Sequence, residues 1–277
     1  MAHACKLLRA LFLLLRVAAV HKAHADFPVG IARSDDPSLT NPVARDQTLT
    51  PAQVHDMTRH ALELIGGMAS VVPDTAKLVL IKPNISIARP SGSGVVTDAR
   101  VVRAVALLVH EAAPGARILI GEGAGGWISP SMADCSLVHI GSRSNRSEII
   151  VDGFEVAGHR QTVTELCAMG IDIDVHDLNF DPAYKLQVPG GGLLWDEYEI
   201  ASTVIDADVW INVPVAKTHG PKITCCLKNH YGIFPGTTYG WNKARGTDTH
   251  EPIPHWPRTM DESWVDLVLV SISTSST

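Results

Sequence analysis

Three short, nearly uninterrupted apolar runs constrain the fold of this 277-residue chain more than any other feature. They are Lys77 to Ile81, Arg117 to Ile120 and Val209 to Val213. Apolar runs of this length are typical of strands that are buried on both faces of a parallel sheet. A helical pattern lies between the first two runs, so the sequence predicts an α/β fold with a mostly parallel sheet flanked by helices.

Two helices are predicted from clear start signals. Thr50 caps the first helix and Pro51 occupies its first position. Thr97 or Asp98 caps the second helix, which continues to Ala113. Weaker signals predict a helix at 162–169, a strand at 171–175, helical structure at 223–231 and an amphipathic helix at 260–270.

The first 25 residues are predicted to be a secretory signal peptide, so we expect an exported protein that is periplasmic or secreted. Lys6 and Arg9 precede an apolar segment at 10–20, and residues 23–25, Ala-His-Ala, have the form of a cleavage site. Arg16 interrupts the apolar segment, so a poorly ordered N-terminal extension is the alternative. The segment is shorter than the roughly 20 apolar residues of a membrane span, and no second candidate follows it, so no stable span is expected after cleavage.

The rest of the chain is predicted to contain one domain. Residues 26–50 contain several prolines and are predicted to form an extended lead-in. Residues 51–270 are predicted to form a single α/β domain, because no linker or internal repeat divides them. Residues 271–277 form a polar Ser/Thr tail that is predicted to be disordered.

Charge and cysteine spacing exclude several kinds of partner and cofactor. The formal net charge is -6, and it falls to -10 without the signal peptide, which has four basic residues and no acidic residue. No basic stripe interleaved with aromatic residues occurs, so no nucleic-acid partner is predicted. No Cys-x-x-Cys pair occurs, so no ferredoxin-type iron–sulfur motif is present and the cofactor is left unknown. Adjacent Cys225 and Cys226 are not expected to bond routinely, because that geometry is strained.

Polar residues follow each apolar run at its carboxyl end, where ligands bind in open α/β sheets. Lys82 and Asn84 follow the first run, although a strand-end lysine can also extend into solvent. Glu122 follows the second run in a glycine-rich turn and is a candidate base or ligand, or else an ordinary loop carboxylate. The glycine turn predicts a tight loop rather than a dinucleotide cradle.

The stretch after the third run, residues 214–236 (PVAKTHGPKITCCLKNHYGIFPG), has the strongest functional signal. Ammonium groups of Lys217, Lys222 and Lys228 beside loop backbone N–H groups would bind phosphate or carboxylate. His219 can act as a general acid or base near neutral pH, and a desolvated lysine can act as a nucleophile. Solvated loop charges are the alternative, but the position directly after a buried strand favours a functional role.

These residues resemble the domain of unknown function 362 family from about residue 77 to residue 270. The matching residues are Lys82-Pro83-Asn84, Thr97-Asp98, Asn212-x-Pro214-x-x-Lys217-Thr218-His219, and Thr224-x-x-x-Lys228-Asn229-x-x-Gly232 followed by Pro235-Gly236. The resemblance implies a mostly bacterial and archaeal family with largely unassigned biochemistry. Some members are exported, and some carry an iron–sulfur module for which this chain lacks the cysteines.

The chain departs from this family at its C-terminal end. Members usually continue beyond the helix at Met260 with another strand and an Asp-Gly segment, whereas this chain has a Ser/Thr tail. We therefore also consider a sheet that is incomplete at the C-terminus, in an inactive truncated member of the family.

The first hypothesis is an enzyme that acts on a small anionic molecule. Its predicted catalytic residues are His219 and Lys228, and its predicted substrate- or cofactor-binding residues are Lys82, Asn84, Glu122, Asn212, Lys217, Thr218 and Asn229. An isomerase, a racemase and a redox enzyme all remain open, and neither a metal nor an oligomeric state is predicted. The second hypothesis is a non-catalytic extracytoplasmic binding protein for an anionic ligand.

Overall fold

The computed structural model of the chain describes residues 28–34, 36–38, 48–124, 137–139, 149–219 and 222–239. The predicted signal peptide, the glycine turn beyond residue 124 and the predicted helix at 260–270 lie outside these residues. In chain order, the strands are β1 (Leu78–Pro83), β2 (Arg117–Glu122), β3 (Leu137–His139), β4 (Ile149–Val151), β5 (Ile173–Asp177), β6 (Ala183–Gln187), β7 (Glu197–Ala201), β8 (Val209–Val213), β9 (Lys217–His219) and β10 (Lys222–Thr224). The helices are α1 (Pro51–Glu63), α2 (Ala99–Ala112), α3 (Gly153–Val156), α4 (His159–Ala168), α5 (Ser202–Asp206), α6 (Cys226–Asn229) and α7 (Gly236–Tyr239).

A four-stranded parallel sheet with the strand order β5-β2-β1-β8 forms the centre of the fold. This confirms the predicted α/β class with a parallel sheet flanked by helices. The predicted run at 209–213 is β8, and the run at 77–81 is β1, which extends to Pro83. The described residues also contain three antiparallel two-stranded sheets, β3-β4, β6-β7 and β9-β10.

The two faces of the sheet are covered by different elements. Val79 and Ile81 of β1 pack into a core with α2, which in turn contacts α1 and α4. Leu80 points to the other face, where it packs with Tyr198 of β7 and with Phe234. Because β1 is covered on both faces, its apolar residues run without alternation, as the sequence indicates.

The predicted start signals of both major helices are present. The Thr50 hydroxyl accepts a hydrogen bond from the Gln53 backbone N–H, and the Gln53 side chain accepts one from the Thr50 backbone in return, which completes a capping box. Asp98, rather than Thr97, caps α2 by accepting from the backbone N–H of Arg100 at 2.9 Å. Thr97 instead accepts from the Asn84 backbone N–H at 2.8 Å and donates its hydroxyl hydrogen to the Val213 carbonyl at 2.7 Å, which joins the residue after β1 to the end of β8.

The prediction of helical structure at 223–231 is wrong in its first part. Residues 222–224 form β10, and Thr224 and Ile223 pair with Lys217 and Thr218 of β9. Their backbone groups are used by this hairpin, so the helix starts only at Cys226. A 3₁₀ turn at His230–Ile233 follows it.

Among the residues that the structure describes, no helix combines the length and the apolar character that crossing a membrane requires.

Candidate functional site

The carboxyl ends of three adjacent strands meet at one edge of the sheet. Lys82 of β1 lies in register with Asn212 of β8, and β2 ends beside them at Glu122. The β9-β10 hairpin follows β8 and leads into α6, whose last residue is Asn229. Six residues are joined by hydrogen bonds at this edge, and we call them the strand-end network: Lys82, Asn84, Glu122, Asn212, Lys217 and Asn229.

Lys82 lies at the centre of the network and is fully buried. Its ammonium group donates to Oε1 of Glu122 at 2.8 Å, to Oδ1 of Asn229 at 3.2 Å and to the Pro83 carbonyl at 3.2 Å. Burial lowers the pKa of Lys82, while the negative charge of Glu122 and its hydrogen bond oppose that shift. The alternative that Lys82 extends into solvent is therefore wrong, because its three donors all have partners inside the protein.

Asn229 connects the helix α6 to the ends of two strands. Its Oδ1 accepts from Lys82 and from Nδ2 of Asn84, each at 3.2 Å. Its Nδ2 donates to the Lys82 carbonyl at 3.2 Å and to Oδ1 of Asn212 at 2.6 Å. Asn212 in turn donates to the Cys226 carbonyl at 3.0 Å. Because the amide is buried and uses both its donors and its acceptor, it holds α6 in one orientation.

Lys217 is the half-buried cation at the outer side of the network. Its ammonium group donates to Oδ1 of Asn84 at 2.6 Å, to the Ser86 hydroxyl at 3.3 Å and to the Val95 carbonyl. Three acceptors on the loop after β1 therefore fix the position of this charge, although the residue itself belongs to β9.

Lys228 supplies a second half-buried cation that interacts with Lys217. Burial lowers the pKa of Lys228. Burial also lowers the pKa of Lys217, and the charge of Lys228 lowers it further, while Glu122 opposes the shift. We call Lys217 and Lys228 the lysine pair. Two like charges in a partly desolvated region repel each other, so an anion that contacts both would lower the energy of the site.

Gly232 lets the chain pass close to the buried ion pair. A Cβ atom at this position would lie 1.7 Å from Oε1 of Glu122 and 2.4 Å from Nζ of Lys82. The Gly232 carbonyl also accepts from the Gly123 backbone N–H at 2.9 Å, which ties the 3₁₀ turn to the end of β2. Any larger residue would force the buried ion pair to move, and this explains a glycine four residues after Lys228.

The structure brings together most of the predicted site residues but not all of them. All six members of the strand-end network were predicted, and Lys228 interacts electrostatically with it. Thr218 is exposed on β9, and the backbone of His219 pairs with Lys222 of β10. The side chains of His219 and Lys222 lie outside the described part of the structure.

Sequence reasoning missed a second polar cluster at the carboxyl end of β5. The Nε2 atom of His176 lies within hydrogen-bond distance of Oδ1 of Asp181 and lies 3.1 Å from the Thr203 hydroxyl. Asp181 also accepts from the Thr203 backbone N–H at 3.1 Å, at the start of α5. The segment from Asp177 to Asp181, Asp-Leu-Asn-Phe-Asp, begins at the last residue of β5, and this alternation of polar residues was the available signal.

The described residues contain no group of three or more His, Cys, Asp or Glu side chains placed to hold a metal ion. Within the strand-end network and the lysine pair, the charged groups are three lysines and the buried carboxylate of Glu122, while Asp177 at the end of β5 is a second buried carboxylate outside this set. This set of charges suits an anion better than a cation.

The chain belongs to the family described as a domain of unknown function (DUF362), whose sequence model matches residues 79–273. It is also 28% identical over 203 residues to the thylakoid-associated protein sll1697 of Synechocystis sp. (strain ATCC 27184 / PCC 6803 / Kazusa). That alignment covers 71% of this chain and 51% of the relative, so the chain spans about half the length of that protein. No solved structure matches the chain.

Proposed function

We propose that this member of the domain of unknown function 362 family binds a small anion at the lysine pair and acts on it as an enzyme. The observation that carries the proposal is that two half-buried lysines lie at the carboxyl edge of the sheet, where Lys217 is held by Asn84 and Ser86. The lowering of the pKa of Lys217 by the charge of Lys228 is consistent with this arrangement. A carboxylate or a phosphate between the two ammonium groups would remove this repulsion and would add charge-assisted hydrogen bonds.

The two lysines would have different roles. Lys217 is held by three acceptors, so it suits a fixed cation that orients the anion. Burial lowers the pKa of Lys228, so its ammonium group gives up a proton more readily and suits a general acid. His219 lies two residues from Lys217 on β9 and is proposed as the second acid or base. Lys82, Glu122 and the three asparagines would position these groups.

Anion binding is tested by titrating inorganic phosphate and pyruvate into the purified full chain by calorimetry. We expect Lys217→Gln and Lys228→Gln each to weaken the affinity about tenfold or more, because each removes one charge-assisted contact. Lys185→Gln is the matched control, since Lys185 is an exposed lysine paired with Glu197 on β7. A folded wild-type chain that binds neither phosphate nor any small carboxylate would refute the proposal.

Catalysis is tested with the variant His219→Gln. Small carboxylates and phosphate esters are incubated with the wild type in D₂O, and NMR reports any exchange of the hydrogen next to the carboxylate or any conversion. Retained affinity with lost turnover in the variant supports an enzyme that uses His219. Tight anion binding without turnover by the wild type favours the alternative, a non-catalytic binding protein, which the firmly held Lys217 would also suit.

We also propose that the chain is exported. The basic and apolar N-terminal segment supports this, and the relative from Synechocystis is named as associated with a membrane system, the thylakoid. Expression of the full chain in a bacterium, followed by fractionation and mass spectrometry, should detect a periplasmic or secreted product that begins at Asp26. An intact N-terminus in the cytoplasmic fraction alone would contradict export.

A further inference from the structure

Two adjacent cysteines lie between the β9-β10 hairpin and the helix that carries Asn229. The Sγ atoms of Cys225 and Cys226 are 3.6 Å apart, which is close to van der Waals contact. Cys225 is half-buried and Cys226 is exposed, so a reagent in solution reaches the pair. Side chains of neighbouring residues commonly diverge, so this contact is a specific feature of the local backbone.

The backbone of the same two residues supports the strand-end network. The Cys225 carbonyl accepts from the Asn229 backbone N–H at 3.2 Å, and the Cys226 carbonyl accepts from Nδ2 of Asn212 at 3.0 Å. The Cys225 carbonyl is part of the peptide group between the cysteines, so a change in that group would act directly on Asn229. The Cys226 carbonyl belongs to the next peptide group, so Asn212 would be affected only indirectly.

We propose that Cys225 and Cys226 form a dithiol modification site, which a small disulfide of the glutathione type oxidises reversibly to a disulfide between neighbouring residues. One of the two cysteines, as thiolate, attacks one sulfur of the oxidant, breaks its S–S bond and releases one small thiol. The other cysteine then loses its proton and attacks the Sγ atom of the first, which forms the intramolecular S–S bond and releases the second small thiol. The two cysteine sulfurs lose two electrons, and the oxidant gains them with the two protons.

The adjacency of the cysteines makes this bond a switch rather than a permanent cross-link. Consecutive Cα atoms lie about 3.8 Å apart, whereas disulfides normally join Cα atoms roughly 4.4–6.8 Å apart. Such a bond is strained and is reduced more easily than a structural disulfide. The two sulfur atoms are in contact, so either thiol can attack first and the other then closes the bond.

Closing the bond turns the peptide group whose carbonyl holds the backbone N–H of Asn229. We expect α6 to lose this anchor, so Asn229 and the neighbouring Lys228 would shift. The effect on Asn229 follows from the contacts alone, whereas an effect on anion binding rests on the proposed function.

The test uses the full chain, equilibrated with reduced glutathione or with oxidised glutathione and then alkylated and mapped by mass spectrometry. We expect the peptide with both cysteines to lose two hydrogen atoms in oxidised glutathione and to regain them on reduction. The exposed Cys167 has no neighbouring cysteine in sequence and is the internal control, which should form only a mixed disulfide with glutathione. Cys225→Ser and Cys226→Ser should each abolish the intramolecular bond.

Hydrogen exchange provides the second readout, independent of any anion. We expect residues 226–232 to exchange roughly threefold to tenfold faster in the oxidised chain, because one backbone hydrogen bond is lost. A pair that acquires only mixed disulfides with glutathione would overturn the proposal. A disulfide that leaves the hydrogen-exchange rates of residues 226–232 unchanged would overturn the proposal that the bond acts as a switch.

Phosphate affinity is measured on the same two samples. A reduced chain that fails to bind phosphate refutes the proposed function but leaves the dithiol chemistry standing. A chain that binds phosphate equally well in both redox states refutes the link between the cysteines and the lysine pair.

Discussion

The Nζ atom of Lys82 lies 2.8 Å from Oε1 of Glu122, and the two side chains are only 0% and 4% exposed. An ion pair without solvent contact contributes little to stability when it is intact, because desolvation costs nearly as much as the attraction gains. Removing one partner lowers the stability strongly, since the remaining charge is buried without water or a counter-charge to stabilise it. The pair therefore makes the end of β1 sensitive to changes that a surface residue would tolerate.

Glu122→Gln should lower the free energy of unfolding by about 3–5 kcal/mol, because it leaves the Lys82 ammonium buried without a counter-charge. Urea denaturation measures this loss. Glu111→Gln breaks the more exposed pair with Arg59 and should cost about 1 kcal/mol or less. The double variant Lys82→Met/Glu122→Gln should recover part of the loss. Equal, small effects of Glu122→Gln and Glu111→Gln would mean that Lys82 is neutral in the folded protein.

Gly232→Ala should destabilise the chain and distort the strand-end network, because the added methyl group would lie 1.7 Å from Oε1 of Glu122. We expect a loss of about 1–3 kcal/mol or more in urea denaturation, as for overpacked cores. Gly115→Ala is the matched control, since a Cβ atom there meets no atom within 4 Å. If both substitutions have the same effect, the close approach at Gly232 is not a constraint.

The strand ends are more predictable from the sequence than the short elements beyond them. The sequence predicts Lys82, Glu122 and the stretch 214–236 at one site because the carboxyl ends of parallel strands share one edge of a sheet, whereas Asn212 is predicted from the family resemblance. The expectation that Lys82 could extend into solvent fails for a tertiary reason. Glu122 and Asn229 lie 40 and 147 positions away in sequence and supply the partners that turn the ammonium group inwards.

The short elements after β8 show where sequence reasoning is insufficient. Strands β9 and β10 have three residues each and α6 has four, so no hydrophobic period identifies them. The hydrogen-bond partners of Asn229 depend on how the β9-β10 hairpin folds back towards the sheet. The spacing of residues in the sequence does not predict this orientation. The Lys217 contacts with Ser86 and Val95 were missed for the same reason, since they join segments 131 and 122 positions apart.

Lys228→Gln should raise the pKa of Lys217, because it removes the like charge that lowers it. The pH dependence of the acetylation rate of Lys217, followed by peptide mass spectrometry, measures the shift. Lys185→Gln should leave this pKa unchanged, since Lys185 is paired with Glu197 instead. An unchanged pKa of Lys217 in Lys228→Gln would show that the two ammonium groups do not interact, and the proposed anion site would lose part of its support.

His159→Leu should stabilise the chain in acid. His159 is fully buried, neither ring nitrogen has a hydrogen-bond partner, and burial lowers its pKa to about 4 despite the opposing charge of Asp98. The unfolded chain takes up a proton near the ordinary pKa of 6.5 while the folded chain does not, so stability falls as the pH drops from that value towards about 4. This difference in proton binding lowers the free energy of unfolding by about 2 kcal/mol at about pH 5, relative to neutral pH. Urea denaturation should show an advantage for the variant that grows by this amount between about pH 7 and about pH 5, and a constant difference would disprove the linkage.

The contribution of His176 to stability should have the opposite pH dependence to that of His159. The hydrogen bond with Asp181 raises the pKa of His176 above its ordinary 6.5. The folded chain therefore holds this proton more tightly than the unfolded chain, so the contribution is complete below about pH 6.5 and is lost as the pH rises through the folded pKa. Protonated His176 also keeps Asp181 in place at the start of α5, where Asp181 accepts from the backbone of Thr203. His176→Gln should cost most stability in mild acid and least in alkali.

In the wild type, the stability that is lost in acid because of His159 would mask the effect of His176. The comparison is therefore made between variants that both carry His159→Leu. Urea denaturation of that variant with and without His176→Gln, at about pH 5.5 and about pH 8.5, isolates the second histidine. The free-energy difference between the two chains should shrink as the pH rises. A difference that grows with pH would mean that His176 is neutral when bound to Asp181, with the proton residing elsewhere in the cluster.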